Sequence, residues 1–162
     1  MAVVQLPSPG FCYWRNMPYT IRPAIAEDAR DIARLLERAN DLRATAEHIA
    51  THIREHAQFE APFVAESKGW ICGIVCLRLL PNLCDERPYA ELTELLVHPE
   101  YRRQGIGRSL IERVEAEATA QGADELVFMT AWRNTDAHSF YHALGYRLYT
   151  IMMRRSLIPD GK

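Results

Sequence analysis

Several absences narrow the reading of this chain before any motif is considered. Its four cysteines, Cys12, Cys72, Cys76 and Cys84, show no CxxC spacing, which leaves neither a disulfide framework nor a zinc knuckle. Reduced, partly buried thiols are the expectation. Long apolar runs are missing too: the best, residues 70–77, is broken by Arg78 and is far too short to cross a bilayer. The first ten residues lack the positive start and long apolar core of a signal peptide, so the expected location is cytoplasmic. No excess of one charge exists, because 19 Lys and Arg against 21 Asp and Glu give a net charge of −2, with no basic stripe of the kind that binds nucleic acid. Neither nucleic acid nor a membrane is an expected partner. There is no internal repeat and no low-complexity tract. Glycine is sparse, eight in 162 residues, yet Gly105 and Gly107 fall two apart.

The rest of the chain reads as one domain over 18–162, long enough to bury roughly 70% of its unfolded surface. Residues 1–17, with Phe11, Tyr13 and Trp14 at no regular period, form an N-terminal extension that packs somewhere or reflects a start upstream of Met17. Apolar spacing predicts a short strand over 19–22, helices over 27–40 and 45–58, and strands over 63–67 and 70–80 joined at Lys68-Gly69. A loop over 81–88 follows. Then come a strand over 89–97, a helix over 107–120, a strand over 125–130, a helix over 135–144 and a final strand over 146–157.

The stretch Glu91 to Arg108, ELTELLVHPEYRRQGIGR, runs an apolar strand into a glycine-punctuated turn and then into an amphipathic helix. Glycine at 105 and 107 lets the main chain come close to a ligand, and the first N–H groups of the helix have no internal partners. Those donors and the helix dipole attract an anion. Arg102, Arg103 and Arg108 add positive charge, which suits a pyrophosphate better than a single carboxylate.

Two motifs then carry a resemblance. Arg102-Arg103-Gln104-Gly105-Ile106-Gly107 fits [QR]-x-x-G-x-[GA], with Leu95-x-Val97-x-Pro99 before it, and Asn134-x-x-Ala137-x-x-Phe140-Tyr141-x-x-x-Gly145-Tyr146 fits a second signature. From Tyr19 onward the chain resembles the GNAT superfamily of acetyl-coenzyme A-dependent N-acetyltransferases. The resemblance implies an α/β fold: a three-layer arrangement in which helices cover both faces of a twisted mixed sheet. Its fourth and fifth strands, residues 89–97 and 125–130, would run parallel and splay apart. Acetyl-CoA would be the co-substrate, its pantetheine pairing with the backbone from Leu95 through Leu96 to Val97. Its pyrophosphate would lie on Arg102, Arg103, Gln104, Gly105, Ile106, Gly107 and Arg108. Asn134, Ala137 and Phe140 would lie along the cofactor arm, and Tyr141 would face the thioester.

Transfer to an amine of pKa about 10.4 requires removing a proton, at a cost of roughly 4.6 kcal/mol at pH 7. A positioned base lowers that barrier. Strict alternation puts Glu91, Thr93, Leu95 and Val97 on one strand face and Leu92, Glu94, Leu96 and His98 on the other. Relatives that use a base on this strand often place it where Glu91 stands. Glu91 is therefore the first candidate, Glu94 the second, since a bulge would re-aim it, and solvated surface carboxylates the plain alternative. Tyr141 would protonate the departing thiolate, or would simply pack as a core aromatic. Asn134 would contact the cofactor, cap its helix, or both.

His48, His52 and His56 recur every fourth residue on one helix stripe. A substrate-facing stripe, a solvated face and, least of all, a metal site are its readings, and no metal is expected. Acidic residues around the strand, Asp85, Glu86, Glu91 and Glu94, suggest a cationic acceptor, either a small-molecule amine or a protein amine. A homodimer through the apolar last segment is the expected assembly. The rival from another class is a non-catalytic acyl-CoA-binding regulator.

Overall fold

The computed structural model describes residues 18–40, 44–153 and 155–157. The expected extension over 1–17 lies outside them. The chain divides after Met129 into two units, the second beginning at Thr130.

The first unit holds the whole sheet. Its strands, β1 (Thr20–Pro23), β2 (Glu60–Ser67), β3 (Trp70–Asn82), β4 (Asp85–Val97) and β5 (Leu126–Phe128), lie in sequence order. All neighbours are antiparallel except β4 and β5, which run parallel. Lys68 and Gly69, with φ of 50° and 79°, make the tight turn between β2 and β3 that the two-residue spacing predicts.

Helices cover both faces. On one side lie α1 (Ala29–Asn40) and α2 (Ala46–His56), where Ile32, Leu35, Leu36 and Ile49 bury against Val64, Ile74 and Leu96. Thr45 starts α2 by accepting the His48 N–H at 3.1 Å. On the other side α3 (Ile106–Ala120) buries Ile106, Leu110, Ile111 and Val114, the spacing of an amphipathic helix. It lies so close to β3 that a Cβ on Gly73 would meet Leu110 Cδ1 at 3.0 Å and Ile106 Cγ2 at 3.1 Å. No described helix is long and apolar enough to cross a membrane.

The structure corrects the sequence reading in three places. Residues 81–88 are mostly strand, not loop: β3 runs to Asn82 and β4 restarts at Asp85, leaving Leu83 and Cys84 as the turn. Pro81 fits there because the ladder slips between Leu80 and Asn82, so its missing N–H interrupts nothing. Second, no strand forms over the described residues of 146–157. The segment is rich in strand-prone side chains, but a strand exists only as part of a ladder, and no ladder partner is present for it among the described residues.

The third correction concerns β4. Leu77 pairs with Leu92 but Cys76 pairs with Glu94, so Thr93 is an extra residue, a bulge. The alternation shifts by one at that point. Glu91 and Glu94, opposite Arg78 and Cys76, therefore share a face with Leu96, while Ala90, Leu92, Leu95 and Val97 share the other. Strict alternation had separated the two carboxylates.

Candidate functional site

The glycine-capped turn forms as its spacing predicts. Gly105, at φ 85°, is the N-cap of α3 in the left-handed region that only glycine enters freely. Its side carries no capping side chain, and the first backbone bond of the helix is Ser109 N–H to the Gly105 carbonyl, 3.0 Å. The N–H groups of Ile106, Gly107 and Arg108 thus point out of the helix end, and no acidic residue stands in the first turn. Arg102, Arg103 and Arg108 are all exposed around it. Arg103, at φ 62°, is a non-glycine residue forced left-handed by the tightness of the turn. Two side chains tie this turn to the preceding segment: Arg102 Nε donates to the Val97 carbonyl at 3.2 Å and Gln104 Nε2 to the Glu100 carbonyl at 3.2 Å.

Beside the cradle, β4 has an open edge. Only residues Ala90 to Leu92 pair with β5, against Leu126 to Phe128, and the ladder stops there. From Thr93 to Val97 the backbone groups on that side have no partner from β5, while the opposite side stays bonded to β3 as far as Val97 against Gly73. This is the splay between parallel strands, and it leaves an extended ligand carrying amides a strand edge to pair with. Leu96 is buried toward α1, and Leu95 and Val97 are half-buried.

On the sheet face shared with α2, one guanidinium and three carboxylates gather. Arg78 Nη1 donates to Glu91 Oε2 at 3.1 Å, and its Nη2 donates to Glu60 Oε1 at 3.0 Å. Glu60 Oε1 also accepts from Thr93 Oγ1 at 2.5 Å, and its Oε2 lies 3.1 Å from His52 Nε2 on α2. Among the described residues Arg78 reaches Glu60 and Glu91 but not Glu94. Burial, and then the negative charge of Glu60, push the Glu94 carboxyl above the ordinary carboxylate range. The neighbouring Cys76 thiol is pushed up by burial and by both carboxylates, so it stays a thiol. Within the histidine stripe, ring centroids lie 6.5 Å apart for His48 and His52 and 5.4 Å apart for His52 and His56. Glu60 and Arg78 were not legible as site features in the sequence, which offered the bulge only as a possibility. The predicted second strand begins at Phe63, three positions too late to include Glu60.

In the second unit, α4 (Thr135–Ala143) carries the other motif. Asn134 caps it, Oδ1 accepting the Ala137 N–H at 3.2 Å, so the capping reading is realised. Tyr141 is half-buried, with the rings of Phe140 and Tyr146 edge-on to it at 5.1 and 6.0 Å. The helix closes with Leu144 N–H and Tyr146 N–H both donating to the Tyr141 carbonyl, at 3.0 and 3.1 Å.

This geometry matches known proteins along most of the chain. Residues 24–146 match the model of the Acetyltransferase (GNAT) family. An uncharacterized N-acetyltransferase of Chlorobaculum tepidum is 30% identical over 131 residues, which are 78% of this chain and 74% of that one. The N-acetyltransferase family 8 member 3 of Rattus norvegicus is 29% identical over 109 residues, 64% of this chain, and the match spans only 47% of that longer protein. Aminoglycoside N(6')-acetyltransferase type 1 of Salmonella typhimurium is 25% identical over 139 residues, 83% of each chain. Among solved structures, an aminoglycoside N-acetyltransferase, AAC(6')-Iy, in complex with CoA superposes with a TM-score of 0.76 at 21% identity, over 89% of this chain and 98% of that one. A family model that spans three quarters of the chain, over a mixed sheet splayed beside a glycine-capped helix end, leaves one assignment: this protein belongs to the Acetyltransferase (GNAT) family.

Proposed function

We propose that the protein moves an acetyl group from acetyl-CoA directly to a primary amine within a ternary complex. The observation that carries the acceptor class is the excess of carboxylate on one sheet face: Glu60, Glu91 and Glu94 stand against Arg78, with His52 at the edge. Such a face suits a cationic acceptor. A small-molecule amine is favoured, in keeping with relatives named for aminoglycoside and aminoalkylphosphonate acetylation.

Acetyl-CoA fits the chain on two counts. The bare N–H groups after Gly105, with three arginines around them, suit its pyrophosphate, and the open β4 edge over 93–97 suits the amides of its pantetheine arm. Bound there, it supplies the thioester. Glu94 takes the proton from the acceptor's ammonium: its raised affinity for a proton narrows the gap to the amine, and among the described residues no ion pair holds it. Glu91 is already engaged by Arg78 and is the second choice. The freed amine attacks the acetyl carbonyl, the C–S bond breaks, and Tyr141 gives its phenolic proton to the sulfur.

A panel of amines, read by release of free coenzyme A thiol, tests activity and acceptor together. Small polycationic amines should drive thiol release well above the rate with water alone. Intact acetyl-CoA binding with no release for any amine would overturn the reading in favour of a non-catalytic acyl-CoA-binding regulator.

A narrower test addresses Tyr141. Tyr141→Phe keeps the ring that meets Phe140 and Tyr146 and removes the hydroxyl alone. Single-turnover transfer should slow by roughly 10- to 10³-fold, less than the largest acid–base effects because a thiolate already leaves well. The melting temperature should hold. Wild-type transfer by a stably folded variant would pass leaving-group protonation to solvent.

A further inference from the structure

The motifs do not account for Glu60 or for the histidine stripe, yet Glu60 meets β4 at Thr93 and the stripe meets Glu60 through His52. Glu60 opens β2 directly across from Arg78 on β3, and it touches three other elements through two oxygens. Oε1 accepts from Arg78 Nη2 and from Thr93 Oγ1, the bulge residue of β4, while Oε2 meets His52 Nε2 of α2. Its side chain is four-fifths buried.

We propose that Glu60 is a positioning residue of the transfer site, which anchors the Thr93 bulge and so holds Glu94 on the same sheet face as Glu91. This rests on the acetyl-transfer reading above. The physical reason lies in the parity of a strand. A regular ladder through Thr93 would turn Glu94 to the face covered by α3 and bring an apolar neighbour round in its place. A bulge leaves its extra residue outside the ladder, so a side-chain partner from another strand can anchor it. For Thr93 that partner is a carboxylate, and a hydrogen bond to an ionised acceptor is shorter and stronger than one between neutral groups. Arg78 supplies the positive charge beside Glu60, and His52 Nε2 lies 3.1 Å from its second oxygen. His52 thereby links the histidine stripe, through its ring contact with His56, to the strand that carries the chemistry.

Glu60 also acts on Glu94 through space. The groups that face it are His52 from α2, Arg78 and Cys76 from β3, and Glu91, Thr93 and Glu94 from β4. Its negative charge adds to burial in raising the Glu94 carboxyl, so neutralising Glu60 lowers the pH at which Glu94 loses its proton.

The test pairs Thr93→Val, which keeps the shape and removes the donor, with Thr93→Ser, which keeps the donor, and adds Glu60→Gln. Each full-length variant is read by kcat, by KM for acetyl-CoA, and by carbon-13 NMR titration of the Glu94 carboxyl. Thr93→Val should lower kcat about 10-fold, the size of one hydrogen bond to a charged group, with KM for acetyl-CoA unchanged. Thr93→Ser should restore kcat to within about twofold. In Glu60→Gln the Glu94 titration, and the acidic limb of the rate profile with it, should move to lower pH. A folded Thr93→Val protein with wild-type kcat and an unmoved Glu94 titration would overturn the proposal. If no amine is acetylated even by wild type, the transfer reading falls, and the NMR titration alone then decides: a Glu94 midpoint unchanged by Glu60→Gln and by Thr93→Val overturns the positioning role, and a shifted one upholds it.

Discussion

Glu94→Gln should lower kcat/KM for the acceptor amine by about 10²–10⁴-fold, the span expected when a positioned proton acceptor is lost. Acetyl-CoA affinity should stay near wild type, since the pyrophosphate and pantetheine contacts proposed above use backbone groups of the cradle and of 93–97. The acidic limb of the rate profile should vanish as well. On the proposed role, wild-type activity should rise as pH passes through the raised Glu94 value, because only the ionised carboxylate accepts a proton. Stability moves the other way. A carboxyl whose folded value lies above its unfolded value is penalised once pH rises through that window, and the penalty disappears below it. Glutamine carries no such penalty, so the variant should melt no lower than wild type at neutral pH, and lost activity cannot be put down to lost folding. Glu91→Gln serves as the contrast. It strands Arg78 with one carboxylate fewer, and if it removes the acidic limb while Glu94→Gln leaves it intact, the proton acceptor is Glu91.

A second large effect is expected at Gly105. Both Asn and Asp tolerate the left-handed conformation better than other side chains, and among the described residues a Cβ at this position meets only Tyr19 Oη, at an ordinary 3.5 Å. Gly105→Asn and Gly105→Asp should therefore both fold. They differ in charge alone, so the gap between them isolates electrostatics. Two negative charges about 4 Å apart at an effective dielectric near 20 repel by about 4 kcal/mol, close to a thousandfold in affinity. Calorimetry should show acetyl-CoA binding weakened by the Asn side chain and lost to about that further degree in the Asp variant. Equal affinities for the two folded proteins would place the pyrophosphate elsewhere.

How far the sequence foretold this arrangement varies from element to element. The cradle was legible because its determinants are local: two glycines two apart, arginines around them and an amphipathic helix behind. Lys68-Gly69 was legible for the same reason. The last segment, 146–157, was not, because strand propensity says nothing about whether a partner edge lies within reach. Pro81 and Pro88 were read as loop markers, yet a ladder slip accommodates proline inside a long hairpin. The acidic face was the largest gap. Glu60 is 31 residues from Glu91 in the chain, and no short-range pattern joins them; the sheet register does, through Arg78. The placement of Glu94 turned on one extra residue, a possibility the sequence allowed and only the register decides.

That extra residue makes β4 two half-strands out of phase. Below Thr93 the apolar positions are Ala90 and Leu92; above it they are Leu95 and Val97, an odd step away. The side toward α3 stays apolar from Ala90 to Val97, while the opposite side changes from carboxylate at Glu91 and Glu94 to the buried Leu96 within a few residues. A wet, charged patch and a dry, packed core thus share one strand, and the seam between them lies at the point where its edge on the β5 side comes free.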